Sequence, residues 1–250
     1  MTEHLGYEEL RADTVRQVAK LMAAAAITAP KSGGQLFLAG KPTFMETVIV
    51  DDAETRGRLA EWMRARGAER REKIWFRDAE VAEAVDAILF VGLAPNWYPP
   101  NYDCGACGYA TCAEFLHASR KLREDSAELE FAGPVCNLRD IDLGIAVGSA
   151  AKTAAIHSID CRCQTRSAVA ARKLGVITAE HAVALSLSMT HKAIGFDRRF
   201  LRRAGPSPDR HPPPWGGGPR TLRRRAQSPA ATPALRTTEL IPHHPHNPSP

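Results

Sequence analysis

Three cysteines stand within nine residues of this 250-residue chain, in the stretch Asp103-Cys104-Gly105-Ala106-Cys107-Gly108-Tyr109-Ala110-Thr111-Cys112. Their spacing is C-x2-C-x4-C, and a fourth, Cys136, follows after 23 residues, directly behind Gly133-Pro134. Clustered thiols of this kind point to metal chemistry. A cubane 4Fe–4S cluster needs one thiolate at each iron, and a single tight loop can supply three of them. Gly105 and Gly108 suit that loop, because a residue without Cβ can take positive φ and turn backbone N–H groups toward inorganic sulfide. A helix that begins near Cys112 would offset part of the negative charge of four thiolates.

Two other readings of the same residues stay open. A structural zinc site can use four cysteines, but it usually recruits two separated C-x2-C knuckles, and the second knuckle is missing. Simple burial explains isolated cysteines better than three of them separated by glycines. A plant-type 2Fe–2S site uses the reverse order, C-x4-C-x2-C, and is disfavoured. The remaining pair, Cys161 and Cys163, forms Asp160-Cys161-Arg162-Cys163. This C-x-C is read as ordinary helix-start residues ahead of a redox pair or a substitute ligand. Cys136 is preferred as the fourth ligand, since Gly133-Pro134 gives it a turn of its own.

The elements that must position these residues follow from periodicity and punctuation. A first helix is expected from about Tyr7 to Ala26, with Leu10, Thr14, Val18, Leu21, Met22 and Ala25 on its buried face. It stops before Pro30, and the loop Lys31-Ser32-Gly33-Gly34 follows. Glu46 to Val50 reads as a strand, and Asp51 or Asp52 caps a helix that Gly67 ends. Val81 to Val85 looks helical, and Ala87 to Val91 looks like a buried strand. After the cysteine loop, Phe115, Leu116, Ser119, Leu122, Ser126 and Leu129 mark an amphipathic helix. Asp140 or Asp142 opens another, whose Gly144 and Gly148 would let a second backbone come close. A helix from Gln164 to Leu174 ends at Gly175, and Ala182 to Met189 is the last strand. The sum is one α+β domain over residues 1–199, with the 4Fe–4S segment at about 95–140.

Charge sharpens the boundary. The formal net charge is +5, yet residues 201–250 hold eight of the arginines, no lysine, and only Asp209 and Glu239 as acids. They also hold 12 of the 18 prolines, so the basic character belongs to a Pro/Arg-rich segment, expected to be disordered over 200–250. Arg223-Arg224-Arg225 and Trp215 lack the aromatic interleaving of a nucleic-acid surface, and no nucleic-acid or membrane partner is expected. The acidic start and the short apolar runs give neither a signal peptide nor a membrane span, so a cytoplasmic protein is expected. Six cysteines in that setting argue for metal or redox chemistry over disulfides. No G-x-S-x-G, P-loop or H-E-x-x-H is present, which removes the common hydrolase and nucleotide-triphosphate readings. Oxidoreductase activity stays open.

These residues carry a resemblance. The cysteine block, Gly133-Pro134-Val135-Cys136, and Asp142-Leu143-Gly144-Ile145-Ala146-Val147-Gly148-Ser149-Ala150-Ala151-Lys152 resemble uncharacterised prokaryotic proteins that contain a ferredoxin domain. Thr28-Ala29-Pro30-Lys31 and Phe196-Asp197-Arg198 are similar to the same family, so the likeness covers roughly residues 7–199. It implies that Cys104, Cys107, Cys112 and Cys136 are the cluster ligands, and that the protein works in electron transfer or in a flavin-type reductase, or else as a redox-sensing or structural metal-binding module. The surrounding framework resembles, more remotely, the flavin-dependent nitroreductases, which implies a nitroreductase-like sheet with packed helices, a homodimer, and FMN at the dimer interface. In that family an Arg-x-Ser-x-Arg holds the flavin phosphate, whereas this chain has Arg11-Ala12-Asp13-Thr14-Val15-Arg16. Lys31 could meet a phosphate, although a solvated loop lysine is the commoner case.

Overall fold

A computed structural model describes residues 4, 6–33, 43–126, 129–191 and 193–196. The expected segment 200–250, Gly34 and Asp197-Arg198 lie outside these residues. The element order is α1 (Tyr7–Thr28), β1 (Met45–Val50), α2 (Ala53–Arg70), α3 (Lys73–Ala84), β2 (Ala87–Leu93), α4 (Cys112–Asp125), α5 (Asn137–Ile156), β3 (Asp160–Gln164), α6 (Thr165–Lys173) and β4 (His181–Ser188), then a 3-10 turn at Ile194–Phe196. The four strands form one sheet in the order β1-β2-β4-β3, and every neighbouring pair is antiparallel.

Helices cover both faces of this sheet, which explains the sequence of β2. All seven residues of Ala87-Ile88-Leu89-Phe90-Val91-Gly92-Leu93 are buried. Leu89 and Val91 face one core with Leu185 and Leu187, under α1 and α5. Ile88 and Phe90 face the other with Ala182 and Ala184, under α2, α3 and α6. A strand buried on both sides reads as a continuous apolar run, because alternate side chains serve different cores. Gly92 is required by space: a Cβ there would lie 2.4 Å from the Ala179 Cβ and 2.8 Å from the His181 carbonyl.

Several sequence expectations are corrected by packing. On α1 the buried residues are Val15, Val18, Ala19, Met22 and Ala26, while Leu21 is 49% exposed. The helix lies along α5, whose Ala146, Ala150 and Ala154 are also buried, so close approach selects alanines where size would have chosen Leu21. Gly67 does not end α2. The helix runs on to Arg70 with Arg71 at φ 57°, and Gly67 is buried where a Cβ would meet the Trp75 Cβ at 2.8 Å. This glycine serves the crossing of α2 and α3, not the C-cap. α3 begins at Lys73, well ahead of the expected Val81.

Neither Asp140 nor Asp142 opens α5. It starts at Asn137 with Cys136 as N-cap, because the Asp142 carboxylate is spent on Arg139 and Ser32, and that of Asp140 on His181. Among the described residues nothing comes within 4 Å of a Cβ placed on Gly144 or Gly148, and both lie on an exposed face with Ile141 and Ile145. Cys161 and Cys163 belong to a strand rather than a helix start, since β3 is held by its ladder to β4 and α6 begins only at Thr165. Leu122 and Leu129, expected on a buried helix face, are exposed. Asp52 does cap α2, accepting from the Thr55 N–H at 2.7 Å, and Gly175 takes φ +69° after α6. Among the described residues, no helix is long and apolar enough to cross a membrane.

Candidate metal centre

The chain leaves β2 at Leu93 and enters the cysteine loop past Trp97, whose indole N–H donates to Glu180 at 2.6 Å. Arg123 of α4 bonds to both Glu180 oxygens and lies 4.6 Å over the Trp97 ring, which ties α4 to the start of β4. Pro99 and Pro100 then direct the backbone toward Cys104. Asp103, at φ 45°, accepts from the Cys112 N–H at 2.7 Å and so closes the loop end to end. Inside it Gly105 and Gly108 sit at φ 70° and 82°, with the Gly108 N–H donating to the Gly105 carbonyl at 2.9 Å. Open space surrounds both glycines. They are needed for conformation, because a side chain at such φ is strained whatever room it has.

Cys112 is the first residue of α4. The helix is capped by Thr111, which exchanges hydrogen bonds with Glu114 in a capping box. Cys136 is the N-cap of α5 and is buried. Its segment is fixed by Ser126, whose hydroxyl accepts from the Gly133 N–H at 2.9 Å and donates to the Gly133 carbonyl at 2.7 Å. The Asn137 N–H, at the mouth of α5, donates to the Cys107 sulfur at 3.3 Å. Two helix N-termini are thus brought to one place, where their partial positive charge favours thiolates. In the metal-free chain burial pushes the Cys136 thiol above its ordinary range, and the adjacent Cys107 adds to this.

One cavity has all four of these cysteines on its wall, together with Pro99, Pro100, Asp103, Gly105, Tyr109, Phe115 and Leu138. Four soft sulfurs spaced around a cavity fit a thiolate-held cluster. Among the described residues, no three His, Cys, Asp or Glu side chains converge as a site for a single metal ion. Cys161 and Cys163 are not on this wall. They lie on the edge strand, and Cys161 packs against the core under α1 and α5. Burial first, then Cys163 and Asp160, pushes the Cys161 thiol up to about 12, and burial raises Cys163 as well.

Family comparisons agree with this geometry. Residues 100–121 match a model described as "Putative Fe-S cluster", and residues 132–198 match one described as an uncharacterized protein containing a ferredoxin domain. An uncharacterized protein of Archaeoglobus fulgidus is 38% identical over 194 residues, which is 78% of this chain and 97% of that one. The chain belongs to this ferredoxin-domain family. Among solved structures the fold is similar to a BluB-like flavoprotein from Clostridium difficile, at 13% identity and a TM-score of 0.42, covering 85% of this chain and 88% of that one. It is also similar to an NADPH:FMN oxidoreductase from Vibrio harveyi, at 13% identity and a TM-score of 0.41, covering 71% of this chain and 60% of that one. The ferredoxin-domain chain therefore spans less than two thirds of that oxidoreductase's length.

A flavin phosphate does not fit the arginines of α1. Arg11 is paired with Asp86 at 2.5 Å and Glu8 at 3.4 Å, and Arg16 with Asp51 at 3.2 Å. The surrounding pocket sets Glu8, Asp13, Asp51 and Asp86 against Arg11, Arg16 and Arg56, so a phosphate there would meet more carboxylates than guanidinium groups. Lys31 is half-buried and its ammonium group is held by backbone carbonyls. Its Nζ curls back onto the carbonyls of Ile27 and Ala29 at 2.7 and 2.8 Å and closes the C-terminus of α1. Burial lowers its pKa.

Sequence reasoning missed Arg139 and Asp142 as neighbours of the site. Both are buried and bonded to each other at 2.7 Å. Their signal was present: opposite charges three apart in a helix face one another.

Proposed function

We propose that this protein holds one 4Fe–4S cluster on Cys104, Cys107, Cys112 and Cys136 and passes single electrons. The observation that carries the reading is the one cavity lined by all four thiols, with two helix N-termini opening onto it. When bound, the cluster supplies a one-electron redox step. The protein's own residues do the rest. Asp103 and the Gly105–Gly108 turn hold three thiols in one loop. The backbone N–H of Asn137, already on the Cys107 sulfur, offsets thiolate charge. Burial of Cys136 keeps water from that side. No step is assigned to a flavin, given the neutralised arginines of α1.

Anaerobic purification followed by iron and acid-labile sulfide analysis tests the reading. About four of each per chain is expected. One equivalent of zinc without sulfide would instead make this a structural metal module, with Cys136 tied to the 104–112 loop. A second copy belongs to the same reading, lying on the α5 face of Ile141, Gly144, Ile145 and Gly148. A solution mass of one chain would reject that arrangement.

A further inference from the structure

The buried Arg139–Asp142 pair has no part in the account of the four thiols, yet it joins the two pieces of chain that carry them. Arg139 is wholly buried, 0% exposed, and heads the fully buried side chains in size. Its Nε donates to the Tyr98 carbonyl at 2.6 Å, and its Nη1 donates to the Ser32 carbonyl at 2.8 Å and to Asp142 at 2.7 Å. The guanidinium lies 4.0 Å over the Phe44 ring and 5.2 Å from that of Tyr98. Asp142 completes the knot, accepting from the Ser32 N–H at 2.8 Å and its hydroxyl at 3.1 Å. Nearby, the Gly33 N–H donates to the Tyr102 hydroxyl at 3.0 Å, a second tie between the 32–33 turn and the cysteine approach.

Tyr98 immediately precedes Pro99 and Pro100, which lie on the cavity wall and lead to Cys104. Arg139 stands one turn into the helix that Cys136 opens, and its own N–H donates to the Cys136 carbonyl at 2.9 Å. We infer that Arg139 is a positioning residue for the cluster: by bonding the Tyr98 carbonyl from the first turn of α5, it fixes Cys136 relative to the loop of Cys104, Cys107 and Cys112. This rests on the cluster reading above.

Stability alone does not explain the arrangement. A buried ion pair is often no better for stability than well-packed apolar residues of the same volume. Here the pair carries a further cost, since among the described residues Nη2 of Arg139 is buried without a hydrogen-bond partner. What a guanidinium adds is direction. Its rigid fork reaches acceptors on separate segments at once, which neither an apolar side chain nor the point charge of lysine can do. Sites that must hold several ligands in register depend on such supporting contacts.

The test uses the double variant Arg139→Met with Asp142→Leu, which removes both charges of the buried pair and fills their volume with apolar side chains, and Arg139→Lys, which keeps the charge. Full-length wild type and both variants are reconstituted anaerobically. Three quantities are read: the rate of cluster loss to an iron chelator, the EPR signal of the reduced cluster, and the melting of the metal-free chain. The expected result is chelation faster by about tenfold in both variants, with a broadened or shifted EPR signal. Melting of the metal-free double variant should stay at or near wild type, because both partners of the buried pair are replaced and neither charge is left unpaired. Chelation rates and spectra equal to wild type would overturn the inference. So would a metal-free variant that melts lower in proportion to its faster chelation, since that is the mark of a merely structural residue. Should the double variant not fold, the Lys variant decides by its chelation rate and EPR signal. Wild type that takes up no iron and sulfide would instead defeat the cluster reading on which the inference stands.

Discussion

Cys104, Cys107, Cys112 and Cys136 look onto one cavity from a glycine turn and two helix N-termini, whereas Cys161 and Cys163 sit two residues apart on an edge strand. Both groups are close in sequence, and both contain half-buried thiols. The difference lies in what the backbone offers. At the first group, the Asn137 N–H at the start of α5 donates to the Cys107 sulfur, and a space is left between the thiols. At the second, the thiols stand on a strand laddered to β4 on one side, and the Cys161 side chain is packed against core. A cysteine becomes a ligand through donors that stabilise its thiolate, and spacing along the chain is only the means of placing it there.

The largest effect that separates the two groups is loss of the metal. Cys136→Ser should drop iron from about four per chain to below one, while Cys161→Ser and Cys163→Ser keep the full amount, as measured by iron and sulfide analysis. Iron lost equally from Cys161→Ser would erase the distinction. Next comes thiol reactivity. With the Cys161 thiol at about 12 against an ordinary 9.0, the folded chain holds this proton through pH 8 and presents almost no thiolate. Its alkylation at pH 8 should therefore be slower than in the unfolded chain by about a thousandfold, and mass spectrometry of the labelled peptide reads this directly.

Two glycines sharpen the comparison further. Gly108→Ala forces a side chain onto φ 82° and should cost about 1–2 kcal/mol in urea unfolding, with lower cluster occupancy. Gly148→Ala on α5 meets open space within its own chain but lies on the face given to the second copy, so it should lower the solution mass toward one chain. An unchanged solution mass with a gain of about 0.5–1 kcal/mol would mean that no copy lies against that face.

The cysteine set was legible because its requirement is local: four thiols, two glycines and a break before Cys136 all show in the order of residues. The strand at Ala87–Val91 was legible too, since its run of apolar side chains exceeds what a one-faced strand needs, although the ladder carries it on to Leu93. Packing partners were not. Gly67 looked like a helix end because nothing in its neighbourhood announces Trp75 of the next helix. Leu21 was preferred over Ala19 and Ala26, because hydrophobicity ranks leucine first and only the closeness of α5 reverses the order. The strand at Cys161 depends on β4, some twenty residues later, and leaves no periodic signal in five residues. The spacing of Arg139 and Asp142 announces their pairing, but not Tyr98, Ser32 and Phe44, which distant parts of the chain bring around the guanidinium.

The four thiols differ in their access to water. Cys104 is exposed, Cys107 and Cys112 are intermediate, and Cys136 is buried. A cluster lodged among them would therefore have an inside and an outside. Oxygen, chelators and a redox partner would all approach from the Cys104 corner, beside the exposed rings of Tyr102 and Tyr109. Damage and delivery would then share one doorway, so whatever docks there to exchange electrons also shields the corner most open to attack.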